Sequence, residues 1–223
     1  MSPFGEKVRN HLVRVFLGVM VAAVVTSIGA WCVAAGFVPL PVALWGGAIG
    51  GFVAMLATLF TKGYGIVRLA TFLAFAFAEG LVVGPSVMMV GSIDPGIVVS
   101  AAVLSIGVFA AFALAAMLAK RREYLFLGGF LSTMLWGMLF FSIVRMFVRL
   151  PGLDTVSSFV GLAIFSLYIV FDVQVAAERA ASENHPDVLR DAISLHLDLI
   201  NIFIEILRIL ARNREKKERR ERK

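Results

Sequence analysis

The sequence predicts an all-α polytopic membrane protein, a seven-helix bundle with its last, polar-striped helix at the centre. Three observations point there. Hydrophobic residues make up 60% of the 223 residues and charged residues only 16%, with a mean hydropathy of +0.90. A soluble domain is about 45–50% apolar and about 25% charged. Roughly seven apolar runs each approach the ~20 residues that a bilayer core requires. Finally, the stretch 187–212, wound at about 100° per residue, gathers Asp191, Ser194, Asp198, Asn201, Glu205, Arg208 and Arg212 into one arc and leaves the rest of its surface to Leu, Ile, Phe and Ala. Such a stripe is out of place against lipid, so other helices should shield it. The expected organisation is a cytosolic N-terminal segment 1–12, a transmembrane bundle 13–211 and a basic tail 212–223.

The first run, 13–37, holds Arg14 as its single charge. It is longer than the ~7–15 residue core of a signal peptide, so it reads as a retained span and not a cleaved leader. Pro39 and Pro41 bracket a short turn into the second run, 42–60, where Gly46, Gly47, Gly50 and Gly51 allow close helix contact. The third run, 66–90, carries Arg68 and Glu79, which are eleven residues apart and so face one side about 16 Å apart. Pro85 within it lacks a backbone donor and is expected to kink or loosen the helix. After the turn at Asp94-Pro95 come a fourth run, 97–119, a basic loop from Lys120 to Tyr124, and a fifth run, 125–148, whose Arg145 is near enough to its end to snorkel. The sixth run, 155–178, carries Ser166, Tyr168, Asp172 and Gln174.

Eight basic and three acidic residues fall in 212–223, so five of the six net positive charges belong to the tail. A basic folded surface for nucleic acid is therefore not expected. The tail fits two roles, enforcing topology or solubility, or binding anionic lipid or an acidic partner. The single cysteine, Cys32, lies in an apolar run and cannot form an internal disulfide. Loop cations alternate: Lys7, Arg9 and Arg14, then Lys62 and Arg68, then Lys120 to Arg122, then Arg179 and Arg190, with Arg149 as the exception. The positive-inside rule places these, and the N-terminus, in the cytosol. Seven full crossings would put the basic tail on the opposite side. A re-entrant last segment, or six spans plus a buried hairpin, would keep it inside.

Ionisable residues inside spans carry the functional signal, because each costs at least ~2.5–3.5 kcal/mol at mid-bilayer. Asp172 and Asp198 stand on consecutive helices at similar distances from their connecting loop, so an antiparallel hairpin brings them to one depth. Two carboxylates in one buried site do not both ionise easily and titrate as a unit. This suits a proton sensor. It also suits transient binding of a hard cation such as calcium, for which Asp172 and Asp198 are the metal-ligand candidates. Separate structural pairing with Arg68, Arg208 or a helix end is the alternative. Glu79 could line the same cavity or partner Arg68 through water. Asp191, Asn201, Glu205 and Arg208 are the remaining pore-lining candidates. His196 points away from the stripe, which disfavours a metal site with Asp198. No zinc-type spacing, phosphate-binding glycine loop or serine–histidine set is present, so neither a cofactor nor an enzyme activity is expected.

Several segments resemble the Bax inhibitor-1, or transmembrane Bax inhibitor motif, family: Phe75-Ala-Phe-Ala-Glu-Gly-Leu-Val-Val-Gly-Pro85, Asp94-Pro95, Arg121-Arg-Glu-Tyr-Leu-Phe-Leu-Gly-Gly129, Phe171-Asp-Val-Gln174, Leu197-Asp-Leu-Ile-Asn-Ile-Phe203 and the charged tail. The loop segment and the tail are similar to the eukaryotic endoplasmic-reticulum branch. The resemblance implies a seven-helix fold with the last helix central, a pH-sensitive calcium leak governed by an aspartate pair, and suppression of stress-induced cell death. Asp172 and Asp198 match the paired aspartates, and Arg68 falls where a basic residue can engage them. Glu79 departs from the Thr or Gln often found there. Implied partners are calcium ions, protons, the lipid bilayer and apoptosis-regulating membrane proteins. Three other readings compete: a proton-coupled cation exchanger, a non-conducting membrane regulator, and an intramembrane aspartyl protease. The flanks of Asp172 and Asp198 lack the Gly-x-Gly-Asp context of the last.

Overall fold

Seven α-helices follow one another in a computed structural model that describes residues 5–61, 63, 65–120, 122–147 and 153–221. Three of the loop cations, Lys62, Arg121 and Arg149, and the side chain of Arg145 lie outside the described residues. The helices are α1 (Glu6–Ala34), α2 (Gly47–Phe60), α3 (Ile66–Gly91), α4 (Pro95–Leu118), α5 (Leu127–Phe147), α6 (Leu153–Ser182) and α7 (Val188–Glu221). A π-helical turn, Val42–Gly46, leads into α2.

Local chemistry sets the ends. Gly36, at φ +80°, takes the left-handed position that stops α1. Asp94 caps α4 by accepting from the Gly96 amide at 2.9 Å, with Pro95 at the first helical position, where its missing N–H costs nothing. Helix α3 passes through Pro85 and continues to Gly91, so the proline does not end it.

Six of the helices are long and apolar enough to cross a membrane. The seventh, α7, is excluded from that set by its polar stripe and basic end, yet it is the central one. It packs against α1, α2, α3, α4 and α6, burying Leu195, Ile202 and Leu207 almost completely. Helix α5 leans chiefly on α6 and presents Phe130, Trp136 and Phe140 outward.

The course of α7 decides between a full crossing and a re-entrant segment. Near its start Asp191 meets His11 of α1, and Lys7 donates to the Glu183 carbonyl of the α6–α7 loop. Twenty-three residues later, about 35 Å along the axis, Arg214 lies 3.9 Å from Asp94 in the α3–α4 turn. The helix is uninterrupted between these points. The basic tail therefore continues α7 at the end of the bundle opposite the N-terminus.

Close approach of α1 and α3 depends on glycine. A Cβ on Gly80 would lie 2.1 Å from the Thr26 carbonyl oxygen, and one on Gly29 would lie 2.4 Å from the Phe77 oxygen. Gly47 and Gly51 pack against Ala78 in the same manner, whereas Gly46 and Gly50 do not face α3. Lipid is as apolar as leucine, so helices associate through such close contact more than through burial. Gly80→Ala should lower stability by about 1–3 kcal/mol, whereas Gly50→Ala, with nothing within 4 Å, should be neutral or gain up to ~1 kcal/mol of helix propensity. Thermal unfolding in detergent measures both, and equal melting points would contradict the close α1–α3 contact.

Candidate functional site

Asp172 lies ten residues before the end of α6 and Asp198 ten residues after the start of α7. Each is therefore about 15 Å from the connecting loop, and the antiparallel hairpin brings them together. The two carboxyls stand within electrostatic reach of each other, and two carboxyls that share a buried site do not both ionise easily. Asp198 is 6% exposed, and its Oδ2 has no hydrogen-bond partner among the described residues. Tyr168 stands one turn before Asp172, with its ring edge-on to Phe171.

A pocket of about 310 Å³ beside the pair is lined by Phe171, Asp172, Val175, Arg179, Asp191 and Ser194. Asp191 is 2% exposed. It is held from two sides, by Nε2 of His11 at 2.8 Å and by the Arg179 guanidinium. One acid thus joins α1, α6 and α7 at the N-terminal end of the bundle. His11 and Arg179 were not singled out by the sequence reading as site residues. His11 and Asp191 are 180 residues apart, so no local pattern links them. Arg179 is seven residues from Asp172 and shares its helix face, which is a signal that could have been used.

Arg68 takes a different partner from the expected one. Its Nε donates to the Thr58 carbonyl at 2.9 Å and its Nη2 pairs with Asp187, which also accepts from the Arg190 amide at the first turn of α7. The reason is depth. Arg68 stands two residues into α3, level with the α6–α7 loop, whereas Asp198 is eleven residues beyond Asp187, about 16 Å farther along α7. Glu79 turns toward α2, with its Oε1 3.8 Å from where a Cβ on Gly51 would sit, while the aspartate pair lies between α6 and α7.

The remaining candidates follow α7. Asn201 is half-buried. Glu205 is 6% exposed, its Oε1 accepting from Arg208 at 2.8 Å and its Oε2 unpartnered. His196 faces the other way and is fully buried, with Nε2 3.0 Å from the Thr26 hydroxyl and its ring edge-on to Phe75. Among the described residues no three His, Cys, Asp or Glu side chains converge as a metal site. A hard cation at the pair would therefore meet two carboxylates supplemented by neutral oxygens.

Gln174, two residues beyond Asp172 and completely buried, fastens the α4–α5 loop. It donates to the Ala116 carbonyl at 2.9 Å and accepts from the Arg122 amide at 2.8 Å. These bonds hold Arg122 in the left-handed region, at φ +68°. The Arg122 side chain reaches Glu178, whose hydrogen bond and charge raise the guanidinium further above its ordinary pKa and keep the pair ionised. The conformation of this loop is thereby tied to α6, on a face turned away from Asp172.

A double-mutant cycle over His11→Ala and Asp191→Asn should give a coupling of roughly 0.5–2 kcal/mol. Unfolding in detergent reads it, and purely additive losses would show that α1 and α7 are not joined there.

Comparison with known proteins gives the chain's family. A family described as inhibitor of apoptosis-promoting Bax1 (Bax1-I) matches residues 8–215. Proteins named Bax inhibitor 1 are similar along nearly the whole chain. That of Drosophila melanogaster is 31% identical, over 100% of this chain and 93% of its own length. That of Oryza sativa subsp. japonica is 35% identical, over 97% and 86%, and that of Arabidopsis thaliana 33%, over 95% and 84%. With its seven-helix membrane bundle and this extent of similarity, the chain belongs to the Bax inhibitor-1 family.

Proposed function

We propose that the protein is a pH-sensitive calcium leak channel of the endoplasmic reticulum membrane that restrains stress-induced cell death, with Asp172 and Asp198 as its gating pair. The observation that carries this reading is the buried Asp198 carboxyl beside Asp172, with one oxygen left without a partner in the shielded α6–α7 seam. Such an oxygen takes either a proton or a cation. Family membership supports the restraint of cell death, since the relatives are named Bax inhibitor 1. Lys7, Arg9, Arg14 and Arg179 gather at the N-terminal end of the bundle and the basic tail at the other, so the loop cations, and not the tail, support a cytosolic N-terminus.

While the two acids share a proton, they hold α6 against α7. Losing that proton replaces a hydrogen bond with like-charge repulsion and leaves an anionic site open to calcium. A proton or cation shifts the closed–open balance only by its differential affinity for the two states. Arg179 and Asp191 flank the approach from one side, and His11 fixes their position on α1. Calcium is the cargo here, and the residues have a gating and not a catalytic role. Membrane proteins that regulate apoptosis are the expected partners.

Reconstituted calcium flux against pH tests the proposal. Asp172→Asn with Asp198→Asn should flatten the pH profile of the wild type. An unchanged profile would refute the gating role, flux that needs a counter-gradient would indicate an exchanger, and absence of flux at every pH would indicate a non-conducting regulator.

A further inference from the structure

We propose that Glu205 is a second cation-binding carboxylate of the α6–α7 seam and that its ion pair with Arg208 is a latch at the far end. The inference rests on the reading of the seam as a cation path. Along α7, polar side chains fall at alternating spacings of three and four residues, Asp191, Ser194, Asp198, Asn201 and Glu205. That rhythm keeps them on one face with a drift of only about 20° per seven residues. The three acids are therefore stacked at intervals of about 10 Å, with a hydroxyl or an amide between each pair. All three acids are buried.

Two observations separate this ladder from a mere acidic cluster. Between its two arginine-held ends it keeps uncommitted oxygens: Asp198 Oδ2 and Glu205 Oε2 are buried and unpartnered, and Ser194 and Asn201 make no hydrogen bond among the described residues. Its far end is also built around the carboxylate. A Cβ on Gly161 of α6 would lie 3.2 Å from Glu205 Cδ and 2.9 Å from the Met138 methyl group of α5, so the missing side chain makes room for Glu205. The ladder stops at arginines. Arg208 holds Glu205 at 2.8 Å, and Arg212 reaches the Ser158 hydroxyl at 3.3 Å. At the near end Arg179 holds Asp191. Each end thus carries a carboxylate closed by a guanidinium, with the aspartate pair between them. The Arg208 side chain is about half exposed, whereas Glu205 is 8% exposed. The arginine can therefore swing away while the acid stays in the seam, leaving carboxylate and amide oxygens of the kind that bind hard cations.

Full-length protein in liposomes, with calcium as the probe, tests the latch. Arg208→Gln should raise the leak, and Glu205→Gln should lower it, each by about three- to twentyfold, the span of single polar contacts within membranes. Arg208→Lys, which keeps a cation, should restore the wild-type leak. A second readout does not depend on flux. Dicyclohexylcarbodiimide, which modifies buried protonated carboxyls, should label Glu205 in Arg208→Gln and leave it unlabelled in the wild type, as read by peptide mass mapping. Unchanged flux together with unchanged labelling would overturn the proposal. If the wild type carries no calcium at all, the channel reading fails and labelling alone decides: modification of Glu205 on loss of Arg208 upholds the latch, and no modification overturns it.

Discussion

A carboxylate cannot face hydrocarbon, and α7 carries three of them in one line. Each would cost at least ~2.5–3.5 kcal/mol at mid-bilayer, which is large beside the weak preference of one apolar helix surface for another over lipid. The arrangement of the bundle follows from that inequality. Helices α1, α2, α3, α4 and α6 surround α7, and α5, whose span carries no acidic residue, remains at the edge and leans chiefly on α6. The same constraint explains why the helix least suited by hydropathy to cross a membrane is the one at the centre.

Shielding alone would leave α7 free to rotate or slide, and three sets of contacts at the N-terminal end prevent this. Arg68 fixes the first turn of α7 to α3, His11 fixes Asp191 to α1, and Arg179 fixes Asp191 to α6. Gln174 and the Arg122–Glu178 pair anchor the α4–α5 loop to the adjoining part of α6. The aspartate pair therefore lies between helices whose rotation and depth are set elsewhere. That is what a switch needs, because a change of charge at one point can then act on a defined contact.

Most of the fold was legible because hydrophobic runs and turn residues mark spans directly. The run 66–90 became Ile66–Gly91, and 97–119 became Pro95–Leu118. Asp172 and Asp198 were legible as neighbours because equal distance from a short loop determines depth in a hairpin. What stayed hidden depended on contacts remote in sequence or on helix continuity. The start of α1 at Glu6 lies in a polar segment with no apolar signal, and the helical continuation of α7 to Glu221 runs through a tail that composition alone marks as separate. Arg68 was expected beside the aspartates from the resemblance, and its place two residues into α3 sets it level with Asp187 instead. His11 gave no sign of its role, since only the folded bundle brings α1 beside Asp191.

The most direct measurement is infrared difference spectroscopy of the protonated carboxyl stretch in reconstituted protein. One shared proton between Asp172 and Asp198 predicts a band that titrates with pH, shifts in frequency in both single Asn variants and is lost in the double Asn variant. A band whose frequency and titration are unchanged in one of the single variants, or that survives in the double variant, would contradict a shared proton at the centre of the bundle.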